Sequence, residues 1–396
     1  MSMPAQLLPD LDRVMLTPII RALLDSSLAV VDRWQVSPIT QGRASPAGVY
    51  RIAGSAEEQG KTRPWSLVLK EVSASARSAH AGNNSSDDPS SHFYWKREVL
   101  LYQSGFFASL PDGIRAPHCY QIDEQPQSAR IWMEDVSEDV GAIWPLEHYA
   151  EVGRHFGRLN GLYLEQRPLP AWPWLMRSYF TGWLDDPDWP AFRQSYPALR
   201  LDNALVQRGW SDELFHAFDQ LWQDRVAFVD ALAQLPQTLH HNDSGRKNLI
   251  AHRRSNGELE TVAVDWGSAA TGPVGGELAC FVMQPIYWFN GVQPEQLSEM
   301  DGIVFDGYMQ GLRDVGWQGD RALARLGYTA SIALRTAFGI FNVEWAARDQ
   351  STGQFIEDAI GHPMEEISDV MRGLRKYVLA CADEARQLMT LPAITK

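Results

Sequence analysis

The chain has 396 residues, 45% of them hydrophobic and 21% charged, and its formal net charge is −14 at pH 7. That is an ordinary folded-protein composition, in a chain too long for one small core, so two domains are expected. The acidity argues against a nucleic-acid binder, which would carry a basic face, and no apolar run is long enough to suggest a membrane span.

In chain order, the first 34 residues carry apolar positions at helical spacing, with Asp10 and Asp12 where a secretory signal would place basic residues. A cytoplasmic protein is therefore expected. The three cysteines, Cys119, Cys280 and Cys381, are widely separated and odd in number, which fits plain thiols rather than a disulfide or metal framework. "VVDRWQVSPITQGRASPAGVYRIAG" reads as strand, turn, strand, and "PWSLVLKEV" as a further strand ending near Lys70. The polar, low-complexity stretch that follows predicts a mobile loop over about 72–91. "FYWKREVLLYQSG" predicts a helix stopped by its glycine, and "HCYQID" and "ARIWMEDV" predict two more strands.

Beyond this point helical periodicity dominates, over 146–165, 212–235, 294–315, 320–348 and 363–391. The one strand signal in this half is "NLIAHRRSNGELETVAVDW", a hairpin about a Ser-Asn-Gly turn. A strand-rich domain over 1–133 followed by a helix-rich domain over 134–396 predicts an α+β, bilobal protein with a ligand cleft between its lobes.

Chemistry concentrates in "QTLHHNDSGRKNLI" and "VAVDWGSAATGP". Asp243 and Asn248 share one short loop, and Asp265 ends the second strand of the hairpin that Asn248 begins, so the hairpin can bring Asn248 and Asp265 side by side. A carboxylate and an amide oxygen suit a hard cation such as Mg2+, which keeps water or phosphate oxygens as its other ligands. Asp243 lies beyond that pair, placed to meet a hydroxyl. Phosphoryl transfer from ATP or GTP needs this little: alignment, charge neutralisation and a proton acceptor.

These motifs resemble the aminoglycoside phosphotransferase and choline kinase-like superfamily, which shares the protein-kinase-like fold. The likeness rests on His241–Asn242–Asp243, Asn248, Val264–Asp265–Trp266, Gly272–Pro273 and Glu277–Leu278–Ala279. It implies Asp243 as catalytic base, Asn248 and Asp265 as Mg2+ ligands, and His241 as the residue holding the catalytic loop. Two positions depart from the family pattern: Asn242 stands for glycine and Glu277 for aspartate. Asparagine tolerates unusual backbone angles, and Glu277 is expected to bond loop backbone rather than metal. Arg246 and Lys247 are expected to point outward into solvent.

In the first domain the resemblance implies Lys70 as the lysine that holds the α- and β-phosphates and Glu98 as its helical partner. Ser45 to Gly48 would lend backbone amides to phosphate, and Met133, Glu134 and Val136 would line and read the nucleotide base. Aromatic and acidic stretches of the second domain would meet the acceptor. Trp183, Asp185, Asp186, Tyr287 and Trp288, with Trp172, Trp174, Trp189 and Asp188, suit a cation, since aromatic faces and carboxylates both attract ammonium groups.

The resulting expectation is a kinase of a small-molecule hydroxyl, with an aminoglycoside-like or choline-like acceptor and a nucleoside triphosphate as partners. A protein kinase ranks lower, because Asp265 precedes Trp-Gly rather than Phe-Gly and no Ala-Pro-Glu segment follows. A pseudokinase or nucleotide-binding module without turnover is the alternative from another class.

Overall fold

The computed structural model describes residues 8, 10–39, 48–76, 85–177, 188–337, 344, 346, 347 and 349–391. By its internal contacts the chain divides into two units, 1–109 with 115–137, and 110–114 with 138–396. The first is strand-rich and the second mainly helical, the α+β arrangement expected.

The first unit begins with α1 (Arg13–Leu23), whose N-terminus is capped by Asp12 accepting from the Met15 N–H at 2.8 Å. Strands β1 (Val30–Pro38), β2 (Val49–Glu58) and β3 (Lys61–Ser73) follow as a meander. After α2 (Arg97–Gln103), and past the two-residue β4 (Ile114–Arg115), whose Ile114 belongs to the second unit, come β5 (Cys119–Gln125) and β6 (Ser128–Glu134). The antiparallel sheet has five strands in the order β1-β2-β3-β6-β5.

Strand alternation gives this sheet two apolar faces. Trp65, Leu67, Leu69 and Trp132 face one way and pack with Leu16, Ile19 and Ile20 of α1. Val72, Ala129, Ile131 and Met133 face the other way, against Val99 of α2 and Trp95. Lys70 shares the second face, because it alternates with Val68 and Val72. The strand runs on to Ser73, so Lys70 lies inside it rather than at its end, and the first two residues of the expected loop over 72–91 are strand. Residues 77–84 of that loop lie outside the described residues.

The second unit is built on α3 (Leu146–Glu165) and α8 (Leu297–Asp314). They pack backbone to backbone through small residues: a Cβ added to Gly157 would sit 2.1 Å from the Tyr308 carbonyl oxygen, and one added to Gly311 would sit 2.0 Å from that of Arg154. Between them in sequence lie α4 (Asp188–Asp202), α5 (Ala204–Gly209), α6 (Asp212–Gln234) and α7 (Leu278–Tyr287). After α8 come α9 (Arg321–Ala337), α10 (Gln350–Ile360) and α11 (Met364–Met389). Of these, α4, α5, α7 and α10 were not expected from periodicity.

The expected hairpin is present as β8 (Leu249–Arg253) and β9 (Leu259–Ala263), in a sheet of order β4-β9-β8. A second small sheet was not expected: β7 (Gln237–His240) pairs antiparallel with β10 (Ala270–Pro273). The buried Asn160 of α3 fixes β7. Its amide donates to the Leu239 carbonyl at 2.8 Å, and its carbonyl oxygen accepts from the Tyr308 hydroxyl at 2.7 Å. The helix pair thus sets the strand that leads directly into Asp243.

No helix among the described residues is long and apolar enough to cross a membrane.

Candidate active site

The loop from His241 to Asn248 is held from several sides. Its first residues are tied down by Glu277, 1% exposed, whose carboxylate accepts from the His241 N–H at 2.6 Å and from the Asn242 N–H at 3.3 Å. This is the backbone role expected of Glu277. Asn242 takes a left-handed conformation with φ of 69°, accessible to asparagine at small penalty, at the place where the family pattern has glycine. Its side chain donates to the Ser268 carbonyl at 3.1 Å and accepts from Arg335 at 2.7 Å.

The His241 imidazole joins the loop to the second motif. Nε2–H donates to the Val264 carbonyl at 2.9 Å, while Nδ1 accepts from the Asp243 N–H at 3.2 Å. These two bonds set the tautomer, and the ring rests edge-on against Trp266 at 4.5 Å. His241 therefore fixes the backbones of both aspartates.

Asn248 donates its amide nitrogen to the Asp243 carboxylate Oδ2 at 2.7 Å and to the Asp243 carbonyl at 2.8 Å. With the nitrogen so committed, the amide oxygen faces away, and no donor among the described residues reaches it. The Asn248 carbonyl accepts from the Val264 N–H at 2.9 Å, extending the β8–β9 ladder by one pair. Asp265 then leaves the ladder at φ 62°, ψ 60°, a left-handed turn that costs a residue with a side chain about 1 kcal/mol or more. The second strand thus ends at Ala263, and Asp265 stands just past it instead of ending it.

Among the described residues no group of three or more His, Cys, Asp or Glu side chains could hold a metal. The candidate donors are the Asp265 carboxylate and the Asn248 amide oxygen, both hard oxygen. That set fits Mg2+ with phosphate and water completing the shell, and does not fit a zinc site.

Arg246 differs from expectation. It is buried, with its guanidinium 3.9 Å above the Trp144 ring, donating to Glu138 at 3.0 Å and to the Gly141 and Leu249 carbonyls at 2.7 and 2.8 Å. It props the loop from within, and the sequence signal for an outward pair was only its neighbour Lys247. Lys247 is exposed, its ammonium 5.7 Å from the centre of the Trp288 ring. One face of Trp288 therefore already carries a cation. Tyr287 is half-buried and meets Trp288 edge-on at 4.9 Å.

Two side chains at Asp243 went unread in the sequence. Gln284 of α7 donates to Asp243 Oδ1 at 2.9 Å, and the Cys280 thiol lies 3.9 Å from the same oxygen. Burial pushes the Cys280 thiol up to about 12, so it stays protonated and is no nucleophile. The available clue was Gln284 as the one amide in the otherwise apolar "LACFVMQPIY".

In the first unit the Lys70 ammonium donates to the Glu98 carboxylate at 2.6 Å, both groups buried. The Gly48 carbonyl accepts from the Glu71 N–H at 2.8 Å, while Ser45 lies outside the described residues. The Glu134 N–H is committed to the His118 carbonyl at 2.8 Å, and its carboxylate clasps Arg115 at 2.6 and 3.0 Å. Asp135 clasps Arg51 at 2.8 and 3.0 Å. Neither acid merely faces solvent. Met133 is buried, with the Tyr102 hydroxyl 3.3 Å from its sulfur, and Val136 is half-buried.

Trp189 is fully buried among Phe192, Trp210, Phe215 and Phe218, so it is core and cannot wall a ligand. Trp172 and Trp174 are half-buried and stack on each other at 4.7 Å. Trp183, Asp185, Asp186 and the Asp188 side chain lie outside the described residues.

No family model matches the chain, and a search of curated proteins found no match. Among solved structures, a choline kinase from Cryptosporidium parvum Iowa II is 13% identical, covering 96% of this chain and 99% of its own at a TM-score of 0.49. The amicoumacin kinase hAmiN, in complex with AMP-PNP, Ca2+ and Ami, is 12% identical, covering 89% and 95% at 0.48. A spectinomycin phosphotransferase in complex with ADP and spectinomycin is 13% identical, covering 92% and 99% at 0.44. At these values the likenesses carry no argument about activity, which rests on the residues above.

Proposed function

We propose that the chain is a phosphotransferase that moves the terminal phosphoryl group of ATP or GTP to a hydroxyl of a small molecule. An aminoglycoside-like amino sugar or a choline-like alcohol is the favoured acceptor class. The observation that carries the reading is the setting of Asp243. Its carboxylate is held by the amide nitrogen of Asn248, whose oxygen is thereby turned away, and Asn248 is bonded through its backbone to the residue before Asp265.

The chemistry follows from those positions. The acceptor oxygen attacks the terminal phosphorus, the bond from that phosphorus to the bridging oxygen breaks, and its electron pair leaves on the nucleoside diphosphate. The acceptor proton passes to Asp243. Asn248 Oδ1 and Asp265 would hold Mg2+, which when bound neutralises charge on the phosphate oxygens. His241 keeps both aspartates in register through its two ring nitrogens.

In this reading Lys70 holds the α- and β-phosphates, oriented by Glu98, and Gly48 belongs to the turn that covers them. With the Glu134 N–H spent on the sheet, reading of the base falls to Val136 beside Met133. For the acceptor, Lys247 over Trp288 favours a hydroxyl-rich group at that face, and leaves an acceptor ammonium to the acidic stretch containing Asp185 and Asp186. No observation favours a module without turnover, since each member of the set Lys70, Glu98, Asp243, Asn248 and Asp265 is present.

The test is transfer of labelled terminal phosphate from ATP and from GTP, with Mg2+, to a panel of amino sugars, macrolides, choline-like alcohols and neutral sugars. Transfer is expected to one class, and Asp243→Ala is expected to lower it by about a thousandfold while nucleotide binding persists. Equal rates in the parent and in Asp243→Ala sink the proposal.

A further inference from the structure

Helix α7 lies along the catalytic loop in register. Glu277, at its start, holds the N–H groups of His241 and Asn242; Gln284, two turns on, holds Asp243; Trp288, a turn beyond, meets Lys247. These positions are seven and four residues apart, so they fall on one stripe of the helix. The middle member of the stripe is the one with a direct hold on the carboxylate.

We propose that Gln284 is a positioning residue for Asp243, a role that rests on the reading of Asp243 as the proton acceptor. The torsion that turns an aspartate carboxylate about its own axis is broad, so a donor on one oxygen alone leaves the plane loosely defined. Here each oxygen has its own donor: Asn248 Nδ2 at 2.7 Å on Oδ2 and Gln284 Nε2 at 2.9 Å on Oδ1. Both donors are neutral amides. They orient the carboxylate without cancelling its charge; the Cys280 thiol also lies on Oδ1, so it is Oδ2 that keeps a further lone pair for an incoming hydroxyl.

Two features show that Gln284 is set here at the expense of local comfort. Its amide oxygen is buried with no hydrogen-bond partner among the described residues. Turning the amide over would satisfy nothing, because that oxygen would then face the Asp243 carboxylate. The oxygen also lies where a side chain of the opposite loop would begin: a Cβ added to Gly245 would come within 1.5 Å of it. A helix that only packed against the loop would be served better by methionine or leucine at this position. An unpaired buried oxygen, kept so that its sister nitrogen can hold a carboxylate, is the kind of local conflict found at functional sites.

The experiment compares Gln284→Met, of similar length and without donor or orphan oxygen, in the parent and in an Asp243→Ala background. The probe is Mg2+ with ATP, water serving as acceptor, and kcat is read separately from the nucleotide KM. Gln284→Met is expected to keep or raise the melting temperature, to leave KM within about twofold, and to lower kcat by about tenfold. In the Asp243→Ala background it should change nothing. Gln284→Glu, which sets a second charge against Asp243, should lose more than Gln284→Met. An unchanged kcat, or an equal loss in both backgrounds, overturns the proposal.

A second readout does not depend on turnover. The side-chain amide resonance of Gln284, assigned by its absence in Gln284→Met, should shift in Asp243→Ala. A resonance that does not move overturns the contact itself. If the parent protein turns over no nucleotide, the phosphotransfer reading fails, and the resonance still decides whether Gln284 holds Asp243.

Discussion

The first unit places its candidate residues by a simple rule, and the second by a web. Lys70 meets Glu98 because a strand alternates: Val68 and Val72 bring their face onto α2, and Lys70 shares that face. One bond at 2.6 Å completes the pair. Asp243 has no such economy. Its place depends on Asn160 holding β7, Glu277 and His241 holding the loop backbone, and Asn248 and Gln284 holding the carboxylate. Under the proposed function the difference has a reason: Lys70 would only supply charge and can sit on regular structure, whereas Asp243 would have to meet a proton at hydrogen-bond distance and is fixed from several elements.

The sharpest way to test that difference is to remove a charge from each unit. Asp265→Asn keeps the shape of the side chain and the turn that asparagine tolerates at φ 62°. It should lower Mg2+-dependent turnover by about a thousandfold or more, the scale of several kcal/mol of lost charge stabilisation, with an unchanged melting curve. Near-parent rates with Mg2+ would remove Asp265 from the metal set.

Lys70→Ala should cost less. Loss of one oriented donor at phosphate corresponds to about a hundredfold in turnover, with a raised nucleotide KM. It also removes the buried ammonium that Glu98, only 3% exposed, accepts from, so a lowered melting temperature should accompany the kinetic change. If Glu98→Gln lowers turnover as much as Lys70→Ala, the pair acts as a unit. If Lys70→Ala leaves kinetics unchanged, Lys70 has no part in the chemistry and the two units differ more than proposed here.

What could be read in advance follows the same division. The sheet, Lys70 on its central strand and the helix of Glu98 were legible because period-two and period-3.6 patterns report burial directly. The closeness of Asp243 to Asn248, and of Asn248 to the residue before Asp265, was legible because a short loop and a hairpin join near neighbours in sequence. What escaped was set by distant partners. Strands β7 and β10 have only four residues each, too few for a pattern, and they pair across the whole β8–β9 hairpin. Helix α7 is mostly apolar and buried, so it shows no amphipathic pattern by which periodicity could find it. Arg246 looked like one half of a solvated pair, yet Trp144 and Glu138, more than 100 positions earlier, draw it inside.

The smallest effect should separate the units by pH. Two histidines with depressed pKa, His148 and His240, both lie in the second unit. Burial is the main cause for His148, which falls from 6.5 to about 4, with His155 and Arg246 adding to the depression and Glu138 and Glu151 opposing it. Its Nε2 is buried without a partner among the described residues, and its ring stands edge-on to Trp144, the same indole that carries Arg246. Above pH 6.5 the imidazole is neutral in folded and unfolded chains alike. Below it the unfolded chain takes up a proton that the folded chain refuses until about pH 4, so stability is lost as pH falls through that window. Between pH 7 and 5 this one group should remove about 2 kcal/mol from the second unit. His148→Phe should flatten that slope in acid titrations followed by tryptophan fluorescence, because Trp144 reports on the same contact. An unaltered slope would place the acid sensitivity elsewhere, with His240, buried against the Pro273 carbonyl at 3.0 Å, next in line.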